Sequence, residues 1–459
     1  MAFCIRRSFG SPPSVPPGYN LPFLNSTAEF AQPSLRMKTA SLLSYCLLLA
    51  ACATTSATRS LRLSPTPVLL RADPRSVGMA RDLGARLDSI VAVGIAQGAA
   101  PGVALAVGRF GRLVHLRAYG RIDTGSVAPF VTDSTLFDMA SLTKVVATTT
   151  AAMILEDEGK LDLDAPVRSY LPELSDTAKS RITVRMILTH SGGFEAFAPL
   201  WREHRGRADY LAQINARPLA YAPGYTTIYS DWDFILAGLI IERITGMTLD
   251  QFVATRVWQP LHMGDTGFNP FASSPMPADS ACTAAFRPDH PLLDRIAVTE
   301  MDTAYRHIHV HGIVHDENAC ALGGVAGHAG LFSSARDVAV FCQMLLNGGA
   351  YGGVRLIKPE TIARWTARQN RASSRALGWD TPSDRSSAGH YFSPRSFGHT
   401  GFTGTSIWID PERELFVVLL TNRVDPTRAN LRHEELRRDI ADEVQAGILD
   451  APLVRWREP

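Results

Sequence analysis

The chain has 459 residues, 46% of them hydrophobic and 20% charged, an ordinary composition for a globular protein with a large core. Its net charge of +2 comes without a basic run or a basic patch interleaved with aromatic residues, so the sequence gives no indication of nucleic-acid binding. The six cysteines include no C-x-x-C pair, and their irregular spacing predicts neither a zinc site nor a disulfide framework.

The first 75 residues predict an exported, membrane-attached protein. Residues 1–36 are rich in Pro, Ser and Gly without apolar periodicity, which indicates a disordered extension or a misassigned start. The short apolar run at 42–51, preceded by Lys38, is typical of a secretory signal and too short for a permanent membrane span. It ends in Leu49-Ala50-Ala51-Cys52, which resembles the lipobox of bacterial lipoproteins, where the cysteine is acylated. We therefore expect a lipoprotein signal at 37–52, a lipid on Cys52, a tether at 53–75 and an envelope location; a plain cleavable signal or an uncleaved anchor is the alternative.

A folded domain is predicted over residues 76–450, with a tail at 451–459. It begins with an amphipathic helix at Val77–Gly98 and a hairpin of two strands, Gly102–Val107 and Leu113–Tyr119, joined by a glycine turn at residues 108–112. It ends with two further strands, Ser406–Asp410 and Leu415–Thr421, and a closing helix at Arg428–Leu449.

Helical patterns dominate the middle of the chain, from about residue 164 to residue 346. The clearest helix is Trp232–Thr245, which has Ser230 or Asp231 as its cap and Gly246 as its stop, and another begins at Ser334. Strands at both ends with helices between them predict a mixed α/β fold of the α+β type. One sheet would be assembled from both ends of the sequence, with an inserted, mostly helical region.

The stretch from Phe137 to Lys144 contains the first candidate catalytic residues. A helix predicted from Val145 to Gly159 places Ser141 at its start and Lys144 one turn further on the same face. The positive end of the helix dipole favours a developing oxyanion, and a nearby amine can take up the hydroxyl proton, so Ser141 has the surroundings of an activated nucleophile. With five lysines and 33 serines in the chain, about 0.4 S-x-x-K matches are expected by chance. The motif alone therefore fits an ordinary capping serine equally well.

Two further triplets support the assignment of Ser141 as a nucleophile. Tyr229-Ser230-Asp231 lies just before a predicted helix, and His399-Thr400-Gly401 lies just before a predicted strand. In this order, S-x-x-K, Y-x-N-like and K-T-G-like motifs resemble the serine β-lactamase and penicillin-binding-protein superfamily. The closest pattern is the branch with class C β-lactamases, D,D-carboxypeptidases, D-aminopeptidases and family VIII-type esterases. Family-like segments also occur at residues 189–193, 260–266 and 327–333, and the resemblance covers about 76–425.

This resemblance implies the penicillin-recognising-enzyme fold, with an antiparallel sheet flanked by helices, and a division of roles among the motif residues. Ser141 would form an acyl-enzyme, and Lys144 and Tyr229 would share general-base and general-acid work, in an order that the sequence leaves open. The backbone N–H groups of Ser141 and Phe402 would form the oxyanion hole, and Thr400 and Gly401 would line the substrate strand. The chemistry requires no cofactor and no metal.

Two departures from the family pattern bear on the substrate. Asp231 stands where the family has asparagine, which exchanges an amide for a charge that can hold Lys144. His399 stands where the family has lysine, and a histidine with its reference pKa of about 6.5 is mostly neutral at pH 7. Both departures occur among family esterases and peptidases, and they weaken a β-lactamase interpretation without affecting acyl transfer.

The predicted function is that of a serine hydrolase acting on envelope peptides or amides that contain D-amino acids, such as a D-Ala carboxypeptidase. The alternatives are a carboxylesterase of the same family, a weak β-lactamase, or a catalytically inactive binding protein. The expected partners are a small-molecule or peptide substrate and, through the lipid, a membrane. No nucleic-acid partner is expected.

Five of the 13 histidines lie between residues 307 and 328. On a strand His307, His309 and His311 would share one face, so a metal site is conceivable, but we favour loop histidines at the mouth of the site. His315 and Asp316 are candidates for the pocket wall. His190 is interpreted as a structural histidine in a tight loop.

Overall fold

The computed structural model describes residues 68–271, 287, 289–384 and 386–456, all of which belong to one compact unit spanning 61–459. The predictions for residues 1–67, including the lipobox and Cys52, lie outside the described residues. No helix within the described ranges is both long and apolar enough to cross a lipid bilayer.

Thirteen strands and ten α-helices are present in this part of the chain. The strands are β1 Leu70–Arg71, β2 Gly102–Arg109, β3 Arg112–Gly120, β4 Phe137–Asp138, β5 Gly267–Phe268, β6 Glu300–Asp302, β7 Ile308–Val310, β8 Leu331–Ser333, β9 Ala350–Tyr351, β10 Val354–Arg355, β11 Phe397–Thr400, β12 Ser406–Asp410 and β13 Leu415–Thr421. The helices are α1 Leu83–Ala96, α2 Thr150–Asp157, α3 Val184–Leu188, α4 Gly206–Ala216, α5 Asp231–Thr245, α6 Leu249–Val253, α7 Glu317–Ala321, α8 Ala335–Leu346, α9 Pro359–Thr366 and α10 His433–Ala446.

The main sheet has six strands in the order β1-β3-β2-β13-β12-β11. All neighbours are antiparallel except β1 and β3, and the pairing of β13 with β2 joins the two ends of the sequence, as predicted. The hairpin strands extend to Arg109 and Arg112, which leaves a two-residue turn, Phe110–Gly111, in place of the predicted five-residue turn. Both turn residues have positive φ, the conformation that matches the twist of a tight hairpin.

Both faces of the sheet are covered by helices. On β2, Val103, Leu105 and Val107 pack into one core with α1 and α10, whereas Ala104 and Ala106 face a second core on the side of α8 and α2. Alternate residues of β13 divide between the two cores in the same way. Because both faces are buried, these strands are apolar throughout and do not alternate with polar residues.

Several element boundaries differ from the predictions. The folded part begins before Ser76, because Leu70–Arg71 already pairs with β3. The first helix starts only at Leu83, because Pro74–Val77 forms a 3₁₀ turn that ends at the left-handed Gly78. Helix α5 agrees with the prediction and ends at Gly246, which has φ 68°.

The region at 164–346 contains the short strands β5 to β8 as well as helices. Strand β8 matters for the site because it pairs with β4, which leads directly to Ser141. The cysteine spacing predicted no disulfide framework, but Cys320 is disulfide-bonded, and Cys342 is a buried free thiol.

Candidate active site

Ser141 lies in a 3₁₀ turn, Ala140–Leu142, which is followed by a π-helical segment, Lys144–Thr149, before α2 begins. The predicted helix is therefore present, but its first turns are not α-helical. The turn is held by Asp138, whose Oδ1 accepts the Ala140 N–H at 2.8 Å and whose Oδ2 accepts the His315 N–H at 2.7 Å. Ala140 has φ 45°, a strained conformation that a surrounding network must enforce. Sequence reasoning missed Asp138.

Lys144 is completely buried and donates three hydrogen bonds. Its Nζ donates to Ser141 Oγ at 3.0 Å, to Asp231 Oδ1 at 2.8 Å and to the backbone oxygen of His328 at 3.2 Å. Burial alone would lower the pKa of Lys144, but the attraction of Asp231 and then of Tyr229 outweighs it and raises that pKa above 10.5. Lys144 is consequently an ammonium ion in the resting site.

The ring of Tyr229 lies beside this ammonium, with its centroid 4.8 Å from Lys144 Nζ. Its hydroxyl is buried and has no hydrogen-bond partner among the described residues. The ring of His190 also packs against the ring of Tyr229, and the two ring centroids are 4.4 Å apart. His190 accepts the Ser230 N–H on Nδ1, and burial lowers its pKa far below 6.5, so it is neutral and supports Tyr229 by packing.

His399 lies on β11, the edge strand of the main sheet, and is also neutral. Burial, followed by the positive charges of Arg375 and Lys144, lowers its pKa well below 6.5. Its Nδ1–H donates to the backbone oxygen of Thr400 at 2.8 Å, which leaves Nε2 as a lone-pair acceptor. That nitrogen is buried without a partner in the described part of the chain.

The loop after β11 is tied to the turn that carries the serine. The hydroxyl of Thr403 donates to the backbone oxygen of Asp138 at 2.7 Å, and the hydroxyl of Thr405 donates to that of Met139 at 3.2 Å. The backbone N–H groups of Ser141 and Phe402 donate to no acceptor within the described ranges. They are available to the oxygen of a substrate carbonyl, the arrangement that an oxyanion hole requires.

A cleft of about 580 Å³ brings the predicted residues together. It is lined by Ser141, Tyr229, Asp231, His399, Thr400, Gly401 and Phe402, and also by His315 and Asp316. Lys144 lies beneath its floor, because its side chain has no exposure and bonds Ser141 from below.

Arg375 also lines the cleft and was not predicted, because the stretch from 370 to 395 carries no motif. Its guanidinium carbon lies 5.0 Å from the centroid of the Tyr229 ring. The guanidinium makes neither a hydrogen bond nor an ion pair with any described residue. Arg375 therefore contributes a cation whose donors bond no described residue, whereas Lys144 is paired with Asp231.

The histidines at 307–311 do not converge on a common point. His309 pairs with Asp425 at 3.2 Å, and His311 bonds the backbone oxygen of Ile296 at 2.7 Å. The described residues that could hold a metal ion are instead Asp231, Asp316 and His328, whose ligand atoms lie within 4.8 Å of one another. The ammonium of Lys144 bonds Asp231 in this cluster and supplies a cation there.

Comparisons with known proteins identify the family and the fold of this chain. A Beta-lactamase family model matches residues 87–442. A protein of Escherichia coli (strain K12) named "Putative D-alanyl-D-alanine carboxypeptidase" is 34% identical over 392 residues, which cover 78% of this chain and 86% of that protein.

Two solved structures share the fold. A penicillin-binding protein homologue from Caulobacter crescentus gives a TM-score of 0.62 at 21% identity, over 81% of this chain and 99% of the homologue. EstCE1, described as a hydrolase with promiscuous acyltransferase activity, gives 0.61 at 23% identity, over 79% of this chain and 98% of EstCE1. The predicted fold and superfamily are confirmed: the chain belongs to the beta-lactamase family and is a serine hydrolase.

Proposed function

We propose that this serine hydrolase is a D-alanyl-D-alanine carboxypeptidase that acts through an acyl-enzyme on Ser141. The observation that carries the proposal is the guanidinium of Arg375, which is unpaired among the described residues, lies in the same cleft as Ser141 and is close enough to His399 to lower its pKa. A peptide ending in D-alanine carries a carboxylate next to its scissile bond, and a guanidinium with free donors is a strong partner for a carboxylate. The name of the Escherichia coli relative supports the same substrate.

The proton route follows from the charge state of Lys144. Because Asp231 keeps Lys144 protonated, Lys144 cannot accept the serine proton in the resting site. The remaining acceptor is the hydroxyl oxygen of Tyr229, which is buried, unpartnered among the described residues and beside the Lys144 ammonium.

In the first step, Ser141 Oγ attacks the carbonyl carbon of the penultimate residue, and the Tyr229 hydroxyl accepts the serine proton while it passes its own proton to the D-alanine nitrogen. The oxyanion binds the N–H groups of Ser141 and Phe402. The C–N bond then breaks, and D-alanine leaves with this proton on its amine nitrogen while Tyr229 keeps the proton that came from the serine. Water hydrolyses the ester on Ser141 through the same groups and restores the serine.

A carboxylesterase is the second candidate, and the neutral His399 favours it. A neutral Nε2 acceptor attracts a carboxylate less than the lysine ammonium that the family usually has there. An ester lacking a free carboxylate would suit this end of the cleft, provided that Arg375 contributes nothing to its binding.

The two candidates separate in a paired assay of D-alanine release from a D-Ala-D-Ala peptide and of hydrolysis of a neutral p-nitrophenyl ester. Loss of one charged hydrogen-bonded contact costs about 1.5–3 kcal/mol, so Arg375→Gln should lower kcat/KM for the peptide roughly 10- to 150-fold. Ester hydrolysis should be unchanged, and Arg371→Gln, at an exposed position on the same loop, should affect neither reaction. Peptide turnover that is absent in the wild type, with ester turnover present, would favour the esterase.

We also propose that the protein is exported and anchored by a lipid on Cys52. The lipobox-like Leu49-Ala50-Ala51-Cys52 supports this, and so does the disulfide of Cys320, because disulfides persist mainly outside the cytosol. Globomycin, which blocks lipoprotein signal peptidase, should leave an unprocessed precursor, and Cys52→Ala should lose metabolic labelling by palmitate. Normal processing in the presence of globomycin would rule out the lipid anchor.

A further inference from the structure

The loop at residues 401–405, here called the oxyanion loop, is stabilised by Arg437, a buried arginine of α10 that also lines the cleft. Arg437 Nη2 donates to the backbone oxygen of Gly401 at 2.8 Å and to that of Thr405 at 2.7 Å, and its Nε donates to that of Gly404 at 3.1 Å. The loop is closed further by its own bond from the Gly401 N–H to the Thr405 oxygen at 2.8 Å.

Arg437 is only 8% exposed, and within the described ranges all its hydrogen bonds go to backbone oxygens and none to a carboxylate. Burial, together with the neighbouring Arg423, lowers its pKa to about 9, so it is still a cation at neutral pH. A buried charge that makes no direct bond to a carboxylate among the described residues is expensive, and neutral donors would suffice to hold a loop. Packing alone therefore does not explain why a charged side chain is buried at this position.

The oxygen of Gly401 and the N–H of Phe402 belong to the same planar peptide unit, and resonance couples the two ends of such a unit. A cation that hydrogen-bonds the oxygen draws electron density from the nitrogen and makes the N–H a stronger donor. The Phe402 N–H is one of the two groups that the proposed function assigns to the oxyanion.

We propose that Arg437 is a positioning residue for acyl transfer, which polarises the Gly401–Phe402 peptide and so strengthens the Phe402 N–H as an oxyanion donor. This inference rests on the proposed function, because that function assigns the Phe402 N–H to the oxyanion hole. The gain is confined to the steps in which negative charge develops on the substrate oxygen, so it acts on kcat and not on substrate binding.

The chain offers a matched control in Arg423. Its Nε donates to the backbone oxygen of Phe402 at 2.6 Å, in the same loop, but the N–H of that peptide unit belongs to Thr403. Arg423 is buried like Arg437 and bonds only backbone oxygens among the described residues. Its loss should disturb the loop to a similar degree without weakening the Phe402 donor.

The polarisation can be measured without turnover. With carbonyl-¹³C glycine and ¹⁵N phenylalanine, only three peptides of the sequence are doubly labelled, at residues 193–194, 267–268 and 401–402. In the full-length protein, Arg437→Gln should move both the Gly401 carbonyl and the Phe402 nitrogen resonances upfield. Arg437→Lys, which keeps the charge, should give an intermediate shift and is the fallback if the glutamine variant does not fold. Arg423→Gln should leave the Gly401 carbonyl resonance in place, because Arg423 bonds the Phe402 oxygen and stacks over the Phe402 ring but does not bond the Gly401 oxygen.

Kinetics complete the test with whichever of the peptide and ester substrates the wild type turns over. Arg437→Gln should lower kcat on the order of 10-fold, with KM within about 2-fold, and Arg437→Lys should recover part of the loss. Unchanged Gly401 and Phe402 resonances, or an equal loss of kcat in Arg423→Gln, would overturn the proposal and leave Arg437 as a structural tie. Failure of the proposed function would instead show as absent D-alanine release in the wild type, and the resonances would still report the polarisation.

Discussion

Replacing Asp231 by Asn tests how the site sets the charge of Lys144. The carboxylate Oδ1 lies 2.8 Å from Lys144 Nζ, and the lysine side chain is completely buried. At an effective dielectric constant of about 20, two unit charges at that separation attract by about 6 kcal/mol before desolvation is subtracted. Removal of one partner of a buried pair typically costs about 3–5 kcal/mol. Because asparagine retains an oxygen acceptor for Lys144, we expect a loss of about 3 kcal/mol in the free energy of unfolding.

The pH dependence of that loss is the sharper part of the prediction. In the wild type the raised pKa of Lys144 contributes stability that is complete below pH 10.5 and is lost as the pH rises through the raised value. In Asp231→Asn, burial is the main remaining effect, so the pKa of Lys144 falls below 10.5. The deficit should therefore be largest below that lowered pKa and should shrink as the pH rises towards 10.5.

The assay is urea denaturation of wild type and variant at a series of pH values from 7 to 10. Asp176→Asn is the control, because Asp176 pairs with Lys179, another completely buried lysine, 2.7 Å away and outside the cleft. The control should lose stability but keep activity, whereas Asp231→Asn should lose both. A deficit below about 0.5 kcal/mol, or one that grows with pH, would refute the assignment of Lys144 as a paired ammonium.

Three further outcomes follow from the structure. Burial would raise the pKa of Glu300, but the guanidinium of Arg428 and the ring of His315 outweigh it and lower that pKa to about 2. The free energy of unfolding of the wild type should therefore decrease as the pH falls from 4.5 towards 2. In urea titrations, Glu300→Gln should make the free energy of unfolding less dependent on pH over this range. A Cβ on Gly327 would lie 2.0 Å from the Phe234 oxygen, so Gly327→Ala should cost about 1–3 kcal/mol by thermal unfolding. Asp138→Ala leaves two buried N–H groups unpaired, at about 1–3 kcal/mol each, and should lower kcat more than it raises KM.

The sequence predicted elements whose signals are local. Helix α5, with Ser230 before it and the left-handed Gly246 after it, and the strands β12 and β13 agree with the predicted boundaries. The three motif triplets also identified side chains that the fold brings to one cleft. These features depend on caps, apolar runs and spacing, which a single sequence displays.

What the sequence did not predict depends on contacts between distant segments. Asp138 acts by accepting the N–H of His315, and Arg437 acts on the backbone of Gly401, so neither has a local pattern. The closing helix begins at His433, five residues later than predicted, because the Arg423 guanidinium bonds the backbone oxygens of residues 428 and 430 and holds them outside a helix. Arg375 lies in a stretch without periodicity, so a role in the site can be inferred only from its position beside Tyr229 in the folded chain.

Acylation of Ser141 during turnover is the step on which the proposed reaction depends most. The most direct measurement is rapid-quench intact-mass spectrometry of the purified protein with benzylpenicillin and, separately, with the p-nitrophenyl ester, followed by peptide mapping. We expect one acyl adduct, confined to the peptide that contains residues 137–144, in the wild type and in Arg437→Lys but absent in Ser141→Ala. Turnover without an adduct in the wild type, or an adduct that persists in Ser141→Ala, would contradict it.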